Sequence, residues 1–181
     1  MSPNIAGKEQ PHDFHGFQQA DRGYNVRNRL KEVVVACPYF FPIVRHEAEL
    51  WPHRRRLPLG DGFVGRCTAP GRDGTLPSDD ELGRCCNLGY ASDCVHLPRD
   101  RAGDAVHFCI GADTDGIVKV CWVLVKDHAH AGHGTLEFSK SANAWLARHP
   151  NHVVQQMADC YLQSYFSRRR SERISGATSS A

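Results

Sequence analysis

Four cysteines in this sequence, Cys37, Cys67, Cys86 and Cys94, each fall at a break in regular structure, where backbone can wrap around an ion. Cys37 precedes Pro38, Cys67 lies just after Gly65, and Cys86 and Cys94 flank Asn87-Leu88-Gly89-Tyr90. Four thiolates suit either zinc or an iron–sulfur cluster. The stretches between them are 29, 18 and 7 residues long. Structural zinc sites usually take ligands in pairs roughly two to four residues apart, because one tight turn then presents two sulfurs. This set has no such pair, and four separately delivered ligands fit more easily around the wider perimeter of a cubane. The spacing favours a 4Fe–4S cluster on Cys37, Cys67, Cys86 and Cys94, with zinc as the alternative.

Cys85 competes with Cys86 for one ligand position. In extended chain, adjacent side chains point to opposite faces, so one of the two is expected to bind. Cys86 is chosen because Gly89 lets the loop to Cys94 turn back, and Cys85 stands as its substitute. Cys109, Cys121 and Cys160 are read as small apolar core residues, the first two in strands and the third in a helix. His96, two residues after Cys94, could replace a cysteine or hydrogen-bond to a cluster sulfur. His128, His130 and His133 could present imidazoles to a divalent metal, although they fall in a glycine-containing loop where exposed histidines are ordinary.

Other chemistry is not signalled. No glycine-rich run ends in Gly-Lys-Ser/Thr or opens a helix, no serine sits in a nucleophile elbow, and Asp79-Asp80-Glu81 resembles a solvated acidic turn. The basic clumps Arg54-Arg55-Arg56 and Arg168-Arg169-Arg170 read as solvated surface, with phosphate binding as the rival reading.

The elements that position the cysteines follow from patterning. The 181 residues carry a net charge of +2, too weak to imply nucleic acid or anionic lipid as a partner. At this length one core can bury roughly 70% of the unfolded chain's surface, so no metal is needed merely to permit folding. No apolar run approaches the roughly 20 residues of a membrane span, and the polar start lacks a signal-type segment. The expected location is a reducing cytoplasm, where structural disulfides are rare, so eight cysteines point to metal.

Residues 1–28 read as a flexible polar arm, 29–170 as a single metal-binding domain and 171–181 as a disordered tail. Val33 to Ala36 reads as a short buried strand ending at Pro38. From Pro42 to Pro98 the chain is irregular, with a helical turn at Asp79 to Arg84. A stretch this long needs something to organise it, and three of the four proposed ligands lie inside it. Asp104 to Ile110 and Gly116 to Lys126 form a hairpin around Asp113-Thr114-Asp115-Gly116, with Val118, Val120, Trp122 and Leu124 on one face. Thr135 to Phe138 adds a shorter strand. Ser141 caps a first helix ending before Pro150, and Asn151 caps a second.

The expected fold is α+β, a loop-rich cysteine-bound N-terminal half on a small antiparallel sheet (hairpin about 104–126) with two C-terminal helices. On it, a cluster for electron transfer or redox sensing comes first. A structural zinc or cluster site in an adaptor that binds a protein partner comes second. A metal-dependent enzyme comes last, because four thiolates leave no open coordination position.

Overall fold

Alternating valines dictate the central element. Val118 and Val120 are fully buried on one face of strand Ile117–Lys126, and Trp122 and Leu124 continue that face half-buried. The computed structural model describes residues 35–47, 51, 53–88 and 94–177. All of these belong to one unit, Glu32–Ala181. The expected arm at 1–28, Val33 and Val34 of the first expected strand, and residues 178–181 lie outside the described residues.

Six strands are described: β1 (Phe40–Arg45), β2 (Phe63–Cys67), β3 (Ala105–Thr114), β4 (Ile117–Lys126), β5 (Ala129–Ser139) and β6 (Ala144–Trp145). β3 to β6 form one antiparallel sheet in chain order, and β1 and β2 form a separate antiparallel pair. Two helices accompany them, the single turn α1 (Asp79–Glu81), continued by a π-helical turn over Leu82–Cys86, and α2 (His152–Ala177). The fold is mixed α+β. No helix among the described residues is long and apolar enough to cross a membrane.

The β3–β4 hairpin forms where expected. Asp115 and Gly116 both take positive φ, 52° and 77°, the conformation whose twist suits a two-residue hairpin. The β4–β5 turn repeats this without glycine, with Asp127 and His128 at φ 50° and 60°. In consequence the third strand spans Ala129–Ser139 rather than Thr135 to Phe138, and His130 and His133 belong to a strand, not a loop.

One C-terminal helix forms, not two. After β5 the chain turns at Asn143 (φ 48°), and Trp145 pairs with Phe138 in β6. The Trp145 ring meets that of Phe138 edge-on at 5.4 Å, and its indole N–H donates to the Asp159 carboxylate. These contacts override the helix propensity around Ser141. Asn151 does cap α2, accepting from the backbone N–H of Val153 at 2.8 Å and Val154 at 3.3 Å. The helix then runs to Ala177, well past Arg170, where a tail was expected to begin. Its inner face, including Val154, Met157, Ala158 and Leu162, packs in one cluster with Phe40, Phe63, Phe108, Val118 and Val120. Fully burying a residue of this size contributes about 1.5–3 kcal/mol.

The segment Pro42 to Pro98 is more regular than expected, since β1 and β2 lie largely within it. Their ladder pairs Phe40 with Cys67 and Pro42 with Gly65, then shifts register by a bulge before Val44. The Pro42 carbonyl accepts from Gln156 Nε2 at 2.9 Å, tying this pair to α2. Of the expected first strand, Ala36 makes one antiparallel bridge to Val106.

Asp104 fastens the loop before β3 to the β4–β5 turn. Its carboxylate accepts from the Asp127 backbone N–H at 2.6 Å and from Arg101 Nε. Burial alone would raise its pKa, but the Asp127 N–H and the Arg101 guanidinium hold it below the ordinary value. A depressed folded pKa means that the contribution is complete above the ordinary carboxylate range and is lost as pH falls through the folded value. We expect Asp104→Asn to destabilise the fold by about 1–3 kcal/mol at neutral pH. The gap should narrow in acid, and equal urea midpoints for the two proteins at pH 7 would refute this role.

Candidate metal centre

Four short segments deliver the cysteines. Cys37 follows the Ala36–Val106 bridge and starts a tight turn in which the Phe40 N–H donates to the Cys37 carbonyl at 3.1 Å. Backbone N–H groups of Tyr39 and Phe40 also point at its sulfur. Cys67 ends β2, opposite Phe40, and its own N–H and carbonyl bond to Thr75 and Gly74 in the following loop. Cys86 ends the π-helical turn. Cys94 begins a turn closed by the Leu97 N–H on its carbonyl at 3.2 Å.

Asn87, only 2% exposed, locks this arrangement. Its Oδ1 accepts from the Phe63 N–H at 2.9 Å, and its Nδ2 donates to the Phe63 carbonyl at 3.0 Å and the Leu82 carbonyl at 3.3 Å. The residue after Cys86 is thereby fixed to the strand that ends in Cys67. Ser78 caps α1 in a reciprocal capping box with Glu81, and Glu81 in turn lies 3.1 Å from His96 Nε2 and 3.4 Å from Arg72.

These supports bring Cys37, Cys67, Cys86 and Cys94 around one small cavity of about 20 Å³, together with Cys85 and His96. Tyr39, Phe40, Ala69 and Leu97 complete its lining. Cys37, Cys85 and Cys86 are buried, and Cys67 and Cys94 half-buried. None of the eight cysteines is in a disulfide. Among the described residues, no three of His, Cys, Asp and Glu form a group that could hold a metal ion as the side chains stand. The four thiols share the cavity without being drawn onto a single point.

Burial pushes the Cys37 thiol up to about 12, helped by Cys94 and Cys67 and opposed by the N–H groups on its sulfur. Cys86 is raised further, first by burial and then by Cys37, Cys94, Cys67 and Cys85. Each negative sulfur makes the next harder to form, so several thiolates coexist here only with a cation among them.

Extended backbone would present only one of Cys85 and Cys86, but Leu82–Cys86 is a π-helical turn. Successive residues of a helical turn diverge far less than the half-turn between strand neighbours, and both cysteines reach the cavity. His96 reaches it too. His130 and His133 are exposed on β5, and His128 sits in the β4–β5 turn. Cys160 is buried in α2 as expected, but Cys109 is exposed and Cys121 half-exposed. These two pair directly across β3 and β4 rather than lying in the core. Sequence reasoning passed over Asn87, whose only visible signal was its place immediately after the Cys85-Cys86 pair. The chain has no match among family models, curated proteins or solved structures.

Proposed function

We propose that this protein carries a four-cysteine metal centre, a 4Fe–4S cluster on Cys37, Cys67, Cys86 and Cys94, used in electron transfer or redox sensing. The observation that carries the reading is convergence. Four cysteines from four separate segments, spread over a long stretch of chain, line one cavity behind Tyr39, Phe40 and Leu97. Apolar cover of this kind keeps water from a cluster and tunes its potential. Cys85 is the reserve ligand, and His96, whose Nε2 is held by Glu81, would offer Nδ1 to a sulfur. A location in the reducing cytoplasm suits eight cysteines of which none is in a disulfide.

The small volume supports a second reading. A cavity of about 20 Å³ is near the size of one water site, which suits a single zinc ion holding the fold of an adaptor for a protein partner.

Metal analysis separates the two. Anaerobically purified protein is expected to be brown, with about four irons and four acid-labile sulfides per chain. Colourless protein with one zinc replaces the cluster by the structural ion. Protein that takes up neither after reconstitution ends both readings.

A further inference from the structure

The two arginine clumps, more than a hundred residues apart in the chain, meet at one cavity. Arg54 and Arg55, in a single 3₁₀ turn, and Arg168, on α2, line one cavity of about 230 Å³ with Arg45 from β1. Ser164, Ser167 and Ser171 line it too, and their spacing places them on one face of the helix. Four arginines, three serines and Gly60 therefore line one space.

One carboxylate, Asp61, shares the cavity. It lies 3.3 Å from Arg45 Nε and 3.0 Å from Arg54 Nε, and so holds those two guanidinium groups in place. Arg45 Nη2 donates to Ser167 Oγ at 2.9 Å, and Arg168 Nη1 to the Gly60 carbonyl at 3.1 Å. Arg55 is exposed and has no ion-pair partner among the described residues. Three of the four positive charges are thus fixed in position, and the cluster is far from neutralised.

One further observation points to a ligand. Ser164 is 1% exposed, and its hydroxyl has no hydrogen-bond partner among the described residues. A buried hydroxyl without a partner is unfavourable unless something supplies one. Gly60, at φ 73°, seats Arg168 against the turn, since a Cβ there would overlap Arg168 Nη1 and come within 3.1 Å of Ser164 Cβ.

The geometry points to a binding site for a small phosphate-type oxyanion, either free phosphate or the phosphoryl group of a small ester. Planar guanidinium forks match phosphate oxygens two at a time, and the Ser167 hydroxyl, which accepts from Arg45, keeps its own proton to donate, whereas that of Ser171 donates to the Ser167 carbonyl at 3.1 Å. A net charge of only +2 and a single half-open cavity, in place of a basic stripe, favour a small anion over nucleic acid.

The test is calorimetric titration of the full chain with inorganic phosphate and with pyrophosphate, chloride being adjusted to hold ionic strength constant. One saturable site is expected, with Arg55→Gln and Arg168→Gln each weakening it about tenfold. Ser164→Ala should weaken it by a smaller factor. Arg168→Gln also removes the Gly60 contact, so if that variant fails to fold, the exposed Arg55→Gln decides. Methyl phosphate in parallel distinguishes the sources: binding as tight as phosphate means an esterified group is accepted, and weaker binding means the free anion, each supporting the site. Heats no larger than those of matched chloride, or an isotherm unchanged by Arg55→Gln, overturn it.

Discussion

Replacing any one of Cys37, Cys67, Cys86 or Cys94 by alanine is expected to release the whole proposed centre, not a quarter of it. A ligand thiolate is held in its ionised form, and once the cation is gone burial holds Cys37 and Cys86 as neutral thiols. Metal content should therefore fall from full occupancy to near zero at each position. Cys109→Ala, Cys121→Ala and Cys160→Ala should retain it. Cys160, 2% exposed, loses packing and a long contact from Gln156 Nε2 at 3.9 Å, together about 1 kcal/mol. Cys109 is exposed and should lose less than about 0.5 kcal/mol. The instructive pair is Cys85→Ala beside Cys86→Ala, since both thiols reach the cavity. If the first loses metal and the second keeps it, the ligand is Cys85 and the centre stands. Full metal in every single variant ends the four-cysteine hypothesis.

Gly65→Ala should be the most damaging single methyl in the cysteine-bearing part of the chain. The added Cβ would lie 2.2 Å from the Phe41 carbonyl oxygen and 2.8 Å from the Phe40 ring. The oxygen is backbone and belongs to the strand paired with β2, so relief requires the ladder itself to open. Overpacking of this kind costs about 1–3 kcal/mol or more, a fall in Tm of roughly 2–12 °C for a chain of this size. Because Phe40 pairs with Cys67 and is bonded back to Cys37, the opening should also lower metal occupancy. Gly83→Ala is the control. Nothing lies within 4 Å of its added Cβ, and alanine is favoured over glycine in a helical turn. If the two variants melt together, the close approach at Gly65 is not what holds this strand pair.

What the sequence reveals divides along physical lines. The β3–β4 hairpin is legible because alternating valines and an Asp-Gly turn state the same period and the same break. The Asn151 cap is legible for a similar local reason. The β4–β5 turn is not, since Asp127 and His128 take positive φ without glycine. The segment after Ser141 looks helical in isolation, and only the partners of Trp145, Phe138 and Asp159, make it a strand. β1 and β2 are hidden by Pro42 and by a ladder only a few residues long. The gathering of Cys37, Cys67, Cys86 and Cys94 follows from their placement at breaks in structure. The part played by Cys85 does not, because a π-helical turn cannot be read from five residues. The arginine cavity was invisible, since nothing local says that residues 54 and 168 meet.

The shortness of β6 has a consequence for how the protein behaves in a crowd. β6 pairs only with Phe138 and Ser139, so from Ala129 to Leu136 the outer side of β5 has no strand beside it among the described residues. An open edge is a template on which another chain can extend the sheet. Here the edge is spoiled along its length. The register shift opposite Leu124 and Val125 leaves Ala131 as an extra residue, which bends the strand and adds local twist. Gly132 and Gly134 lower its β-propensity, and exposed His130 and His133 stand between them and the turn or each other. The residues that looked like a loop in sequence thus make a strand poorly suited to self-association.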